Sequence, residues 1–94
     1  MIVKIAEYKI KKETQEEILN AIRTFVQAVH KNEPRTFYEA YQKGSSLEFI
    51  HLMKFPDIAA EEKHANATYT NDFVKILYPN CEREPIFTDL SQAE

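Results

Sequence analysis

The segment Leu47 to Phe55, LEFIHLMKF, alternates like a strand yet carries bulky apolar side chains on both of its faces. Successive strand side chains point to opposite sides. Ile50 and Leu52 therefore share one side, and Phe49, His51, Met53 and Phe55 share the other. A sheet built around this strand needs cover on both sides, and a chain of 94 residues with two helical segments can cover only one. The second side calls for a partner, a ligand or both.

The length fits a single domain over 1–94. A domain this small buries roughly 60–65% of its unfolded surface, so association is the default expectation. Charged residues make up 29% and hydrophobic residues 44% of the chain, with one glycine and four prolines, a globular composition without repeats or low-complexity tracts. Lys4, Glu7 and Lys9 interrupt the N-terminal apolar pattern. The expectation is a chain with no signal peptide or spanning helix, working in the cytoplasm without a membrane. Cys81 is alone, which removes an intrachain disulfide and a cysteine zinc site and agrees with a reducing compartment. The net charge of -3 and the scattered lysines argue against nucleic acid, whose phosphates need a clustered positive field.

Along the chain, Met1 to Ile10 alternates, with Val3 and Ile5 facing one way and Ile2, Ala6, Tyr8 and Ile10 the other. Thr14 and Glu17 have the spacing of a capping box at a helix start. Ile18, Ile22, Phe25 and Val29 then recur at helical steps, which predicts a helix from about 14 to 32 that Pro34 ends. Residues 35–42 read as a second strand, and Gly44 turns the chain into the Leu47–Phe55 strand. Asp57 caps a short helix through about His64, and Thr70 or Asn71 caps another carrying Phe73, Val74, Ile76 and Leu77. A last strand spans about 82–90, with Pro85 marking an edge or a bulge.

The order βαββαβ predicts an α+β, ferredoxin-like fold with both helical segments on one face of a four-stranded antiparallel sheet. The face holding Tyr8, Phe49, His51, Met53 and Phe55 is then expected to be the uncovered one. It forms an apolar patch larger than soluble monomers usually show, buried when two sheets face each other.

His51, mid-strand on that face, is placed to act as a proton acceptor or ligand anchor near neutral pH. His64, at the end of the short helix, hangs over the same face. No third ligand stands at a metal-binding spacing, so neither a metal nor a cofactor is expected. Phosphate loops, serine elbows and cysteine–histidine nucleophile patterns are missing too.

The segments EPRTFYEAYQ, LEFIHLMKFPDIAAEEKH and TNDFVKIL together resemble the antibiotic biosynthesis monooxygenase family of dimeric α/β-barrel proteins, over nearly the whole chain. Family members show a Glu-Pro-Gly turn, an aromatic strand, a strand ending in an acid and a tryptophan, and a short helix ending in histidine. Here the turn reads Glu33-Pro34-Arg35, the strand ends Met53-Lys54-Phe55, and the histidine is His64. The resemblance implies a homodimer with facing sheets and, in each subunit, a pocket between sheet and helices. It also implies cofactor-independent monooxygenation of a small aromatic or quinol-type molecule. In the polyketide oxygenases an asparagine and a tryptophan approach the substrate, at positions matched here by His51 and Phe55. The haem-degrading branch uses three residues that align with Tyr8, His64 and Val74, all of them different here, which disfavours haem degradation.

On this reading His51 and His64 are the catalytic candidates, and Tyr8, Phe49, Met53, Phe55 and Phe73 line the substrate pocket. The alternative is a non-catalytic, small-molecule-binding or stress-related protein of the same fold, since a fold licenses no chemistry by itself. An RNA-binding module with the same strand order needs a Gly- and Arg/Lys-rich strand signature that LEFIHLMKF lacks.

Overall fold

The computed structural model describes the whole chain, residues 1–94. Its elements are β1 (Ile2–Lys9), α1 (Gln15–Asn32), β2 (Phe37–Gln42), β3 (Glu48–Phe55), α2 (Ile58–Asn66), α3 (Thr68–Leu77) and β4 (Ile86–Leu90). Short 3-10 turns occupy Lys12–Thr14 and Tyr78–Asn80. The strands form one antiparallel sheet in the order β2-β3-β1-β4. This is the expected ferredoxin-like arrangement.

The α1 stripe behaves as its spacing requires, with Ile18, Ile22, Phe25 and Val29 all buried. Its start differs from the expectation. The Thr14 hydroxyl donates to Lys11 O at 2.8 Å and makes no cap bond to α1, while Glu17 Oε1 accepts from Asn80 Nδ2 at 3.3 Å. The 3-10 turn runs directly into α1, so Thr14 is already turned (φ -102, ψ 2) and lacks the extended backbone that a capping hydroxyl needs. Asp57 has that backbone (φ -160, ψ 177), and its carboxylate accepts from Ala60 N at 2.9 Å.

The second helical region starts earlier than Thr70 or Asn71. Ala67, extended at ψ 145, both ends α2 and opens α3 without a side-chain cap. One non-helical residue thus breaks what would otherwise be a continuous helix. The last strand starts at Ile86 instead of 82; Cys81 makes only an isolated bridge to Ile10, and Pro85 stands just outside β4 because it cannot donate to the ladder. Gly44 takes φ 57 in the β2–β3 turn, a left-handed conformation that favours glycine.

The larger correction concerns the two faces of the sheet. Register sets Tyr8 beside Phe49, Ala6 beside His51, and Tyr38 beside Met53. These residues and Phe55 are all buried, in one core with Phe25, Phe73 and Leu77 of the helices. The helices therefore cover the face expected to be open. The open face is the opposite one, where Val3, Ile5, Ile50, Leu52, Phe37 and Tyr41 stand among Glu7, Glu39 and Lys54. Alternation fixes which residues share a face and is silent about which face the helices take. Charge decides it: three mid-strand ionised groups on one face would be costly to bury. Beneath α2, the inner face carries the single cation Lys4, which finds a carboxylate there.

Candidate functional site

Between the sheet and the α2–α3 pair lies a cavity of about 240 Å³, lined mainly by apolar side chains. Phe25 and Phe73 stack at 4.5 Å on the helix side, and Met53 and Phe55 form part of the sheet-side wall. Part of the floor is polar. His51 Nε2 is 2.6 Å from Tyr8 Oη, and His51 Nδ1 is 2.7 Å from Tyr38 Oη. Strand register dictates this row, because β1, β3 and β2 are neighbours and all three side chains point inward.

A neutral imidazole has one donor and one acceptor nitrogen. One tyrosine therefore donates to His51 and the other accepts from it. Burial, reinforced by the nearby His64, lowers the His51 pKa to about 4, so the ring is neutral at physiological pH. Burial also raises both phenols far above their ordinary range; Tyr38 adds to the effect at Tyr8, and Glu33 adds to it at Tyr38. With both nitrogens engaged, His51 can accept a ligand proton only after releasing a tyrosine.

His64 is arranged differently. It sits in the last turn of α2, packed among the rings of Tyr38, Phe55 and Phe25 at 5.2–5.7 Å. Its Nδ1–H donates to Glu33 Oε2 at 3.0 Å, which leaves Nε2 without a protein partner as His64 lines the cavity. Glu33 is the C-cap residue of α1 and is only 4% exposed. Tyr69 Oη donates to the same carboxylate oxygen at 2.5 Å, while Glu33 Oε1 is buried without a partner. Holding Nδ1 in this way fixes the tautomer and leaves the Nε2 lone pair available to take a proton. The Tyr69 phenol is raised well above its usual range by burial and by its bond to Glu33.

Of the residues singled out from the sequence, Tyr8, His51, Met53, Phe55, His64 and Phe73 all line this one cavity. Phe49 does not reach it; the ring stacks on Tyr8 at 5.5 Å and fills the core beside it. Sequence reasoning missed Glu33, Tyr38 and Tyr69. The available signal was Glu33 itself, an acid at the end of an amphipathic helix, where a carboxylate opposes the macrodipole and therefore needs a reason. Cys81 is buried and its pKa raised by that burial, so it is no activated thiol. No group of three or more His, Cys, Asp or Glu side chains is placed to hold a metal ion. No helix is long and apolar enough to cross a membrane.

No protein-family model and no curated protein matches the chain. Solved structures do. An antibiotic biosynthesis monooxygenase superimposes with a TM-score of 0.90 at 20% identity, each chain covered over 100% of its length. A protein from Caulobacter crescentus, named as a candidate antibiotic biosynthesis monooxygenase, gives 0.87 at 19% identity, covering 99% of this chain and 90% of its own. One of the same description from Nitrosomonas europaea gives 0.87 at 13% identity, with both chains fully covered at 100%. The chain thus has the fold of structures that carry the family name its motifs resemble.

Proposed function

We propose that the protein is a cofactor-independent monooxygenase acting on a small aromatic or quinol-type substrate in the cavity between sheet and helices. One observation carries the reading: a buried Glu33–His64 pair whose free imidazole nitrogen faces a cavity lined mainly by apolar and aromatic side chains. The names of the structures that share the fold point the same way. His64 Nε2 takes a proton from the substrate, and the Glu33 carboxylate stabilises the imidazolium that forms. The electron-rich anion then reduces dioxygen directly. For an activated methylene, one oxygen atom enters as a carbonyl and the other leaves as water, the methylene supplying both hydrogens and all four electrons. Tyr8 orients the substrate's oxygen, and Phe55 and Phe73 pack against its ring.

The working unit is a cytoplasmic homodimer paired through the open face of the sheet, where Ile5, Ile50, Leu52 and Phe37 leave apolar surface that a monomer would expose. The buried, unpaired Cys81 agrees with a reducing compartment.

A second reading, ligand binding without turnover, is favoured by the His51 row, whose hydrogen bonds are complete without any substrate. Oxygen uptake by the purified protein, measured with quinols, anthrones and catechols, separates the two. Uptake that disappears in His64→Ala supports the monooxygenase. Saturable binding with no uptake from any of them leaves the binder.

A further inference from the structure

The cavity runs out to Pro85 and Phe87, beside the exposed strand β4. Every residue of β4 is exposed, and Phe87, although it pairs with Ala6 and so points to the helix side, is 57% exposed. Charged side chains span the rim between this strand and α2. Lys4 Nζ, inward on β1, lies 2.5 Å from Glu61 of α2 and 3.6 Å from Asp89 of β4. Lys4 and Glu61 both line the cavity and are each about one-quarter exposed, whereas His64 deeper inside is buried. One cation against two carboxylates leaves the entrance with a net negative charge.

We infer that Lys4, Glu61 and Asp89 form a charge filter at the cavity mouth that admits uncharged ligands and turns away anionic ones. The filter rests on the reading of this cavity as a ligand site, though not on any turnover there. Its basis is twofold. The rim repels an arriving carboxylate or phosphate, and the only cation along the route is already held by two acids. Lys4 is held firmly, its pKa raised chiefly by the hydrogen bond to Glu61. The chamber behind offers an anion no lysine or arginine, since its remaining polar groups are the tyrosine hydroxyls, Thr70 and two histidines, of which His64 is already held by Glu33. An acidic substituent would therefore cross a repulsive rim into a mainly apolar space, where an unpaired charge is strongly disfavoured. A phenol or quinol, neutral in solution and ionised only when it reaches His64, meets neither obstacle. Glu61 and Asp89 thereby set which protonation state enters, and Lys4 is a latent anion site that they keep occupied.

The test uses two probes of similar size, benzyl alcohol and benzoate, titrated at neutral pH and followed by nuclear magnetic resonance shifts of the cavity side chains. The wild-type protein should bind benzyl alcohol at least about tenfold more tightly than benzoate, a preference that weakens with added salt. Glu61→Gln combined with Asp89→Asn frees the Lys4 ammonium and should move that ratio about tenfold toward benzoate. Lys4→Met should move it the opposite way. Equal binding of both probes by the wild-type protein, an unchanged ratio in the double variant, or no binding of either probe would each overturn the filter. Oxygen uptake is not read in this experiment, so loss of the monooxygenase reading would leave its result intact.

Discussion

Glu33 and His64 stand 31 positions apart in sequence and meet at 3.0 Å in a buried contact that fastens the end of α1 to the last turn of α2. The contact gives the fold a reason to keep an ionisable pair inside its core, where charge is otherwise expensive.

Removing the imidazole should abolish chemistry while sparing the chamber. His64→Ala is expected to lower oxygen uptake by about 10²–10⁴-fold, the usual worth of a positioned base. Glu33→Gln keeps a carbonyl acceptor for Nδ1 and removes the charge, so it should lower kcat with little change in KM. Parallel uptake assays on the two variants decide the matter; a fully active His64→Ala protein would eliminate this residue as the base.

Tyr69 donates to the shared Glu33 oxygen at 2.5 Å, and a buried carboxylate loses by having fewer donors. Tyr69→Phe should destabilise the protein by about 1–3 kcal/mol. In a domain of this size that lowers Tm by roughly 4–8 °C per kcal/mol. Thermal unfolding by circular dichroism reads it, and no shift at all would show that the hydroxyl contributes nothing.

His51 should make stability depend on acid. Its pKa falls from 6.5 when unfolded to about 4 when folded, because burial disfavours the imidazolium. Above 6.5 both states are neutral and the folded protein keeps its full stability. Between 6.5 and about 4 the unfolded chain gains a proton that the folded one refuses, so stability declines on acidification and the His51 contribution is spent below about 4. The loss is on the order of 3 kcal/mol. Denaturant unfolding of wild type and His51→Gln across this range gives the difference; parallel curves for the two proteins would contradict it.

The open sheet face predicts association. A charge at its centre, Leu52→Glu, should convert a dimer into a monomer without unfolding it, because Leu52 lies on the side away from the helices. Sedimentation velocity on both proteins measures this. A wild-type protein already monomeric at micromolar concentration would leave Ile5, Ile50 and Leu52 simply wetted.

Much of this architecture was legible in the sequence because periodicity and turn chemistry are local. The α1 stripe, the Gly44 turn and the Asp57 cap each follow from a few adjacent residues. The choice of covered face was not legible, since Ile50 and Phe49 are equally apolar neighbours and only the distribution of Glu7, Glu39 and Lys54 over two further strands separates the sides. The candidate site was half legible. His51 and His64 stand out as the two histidines on inward positions, but their different states depend on partners far away in sequence. Tyr8 and Tyr38 engage one ring completely, while Glu33 orients the other and leaves a nitrogen free. No spacing rule joins position 33 to position 64.

The sole glycine lies in a hairpin turn outside the chamber, so every residue that a guest molecule would meet there carries a side chain. Such a lining can be recut one substitution at a time without bending the scaffold. A lineage built on this frame could exchange one guest for another quickly, its outline nearly unchanged while its preferences drift.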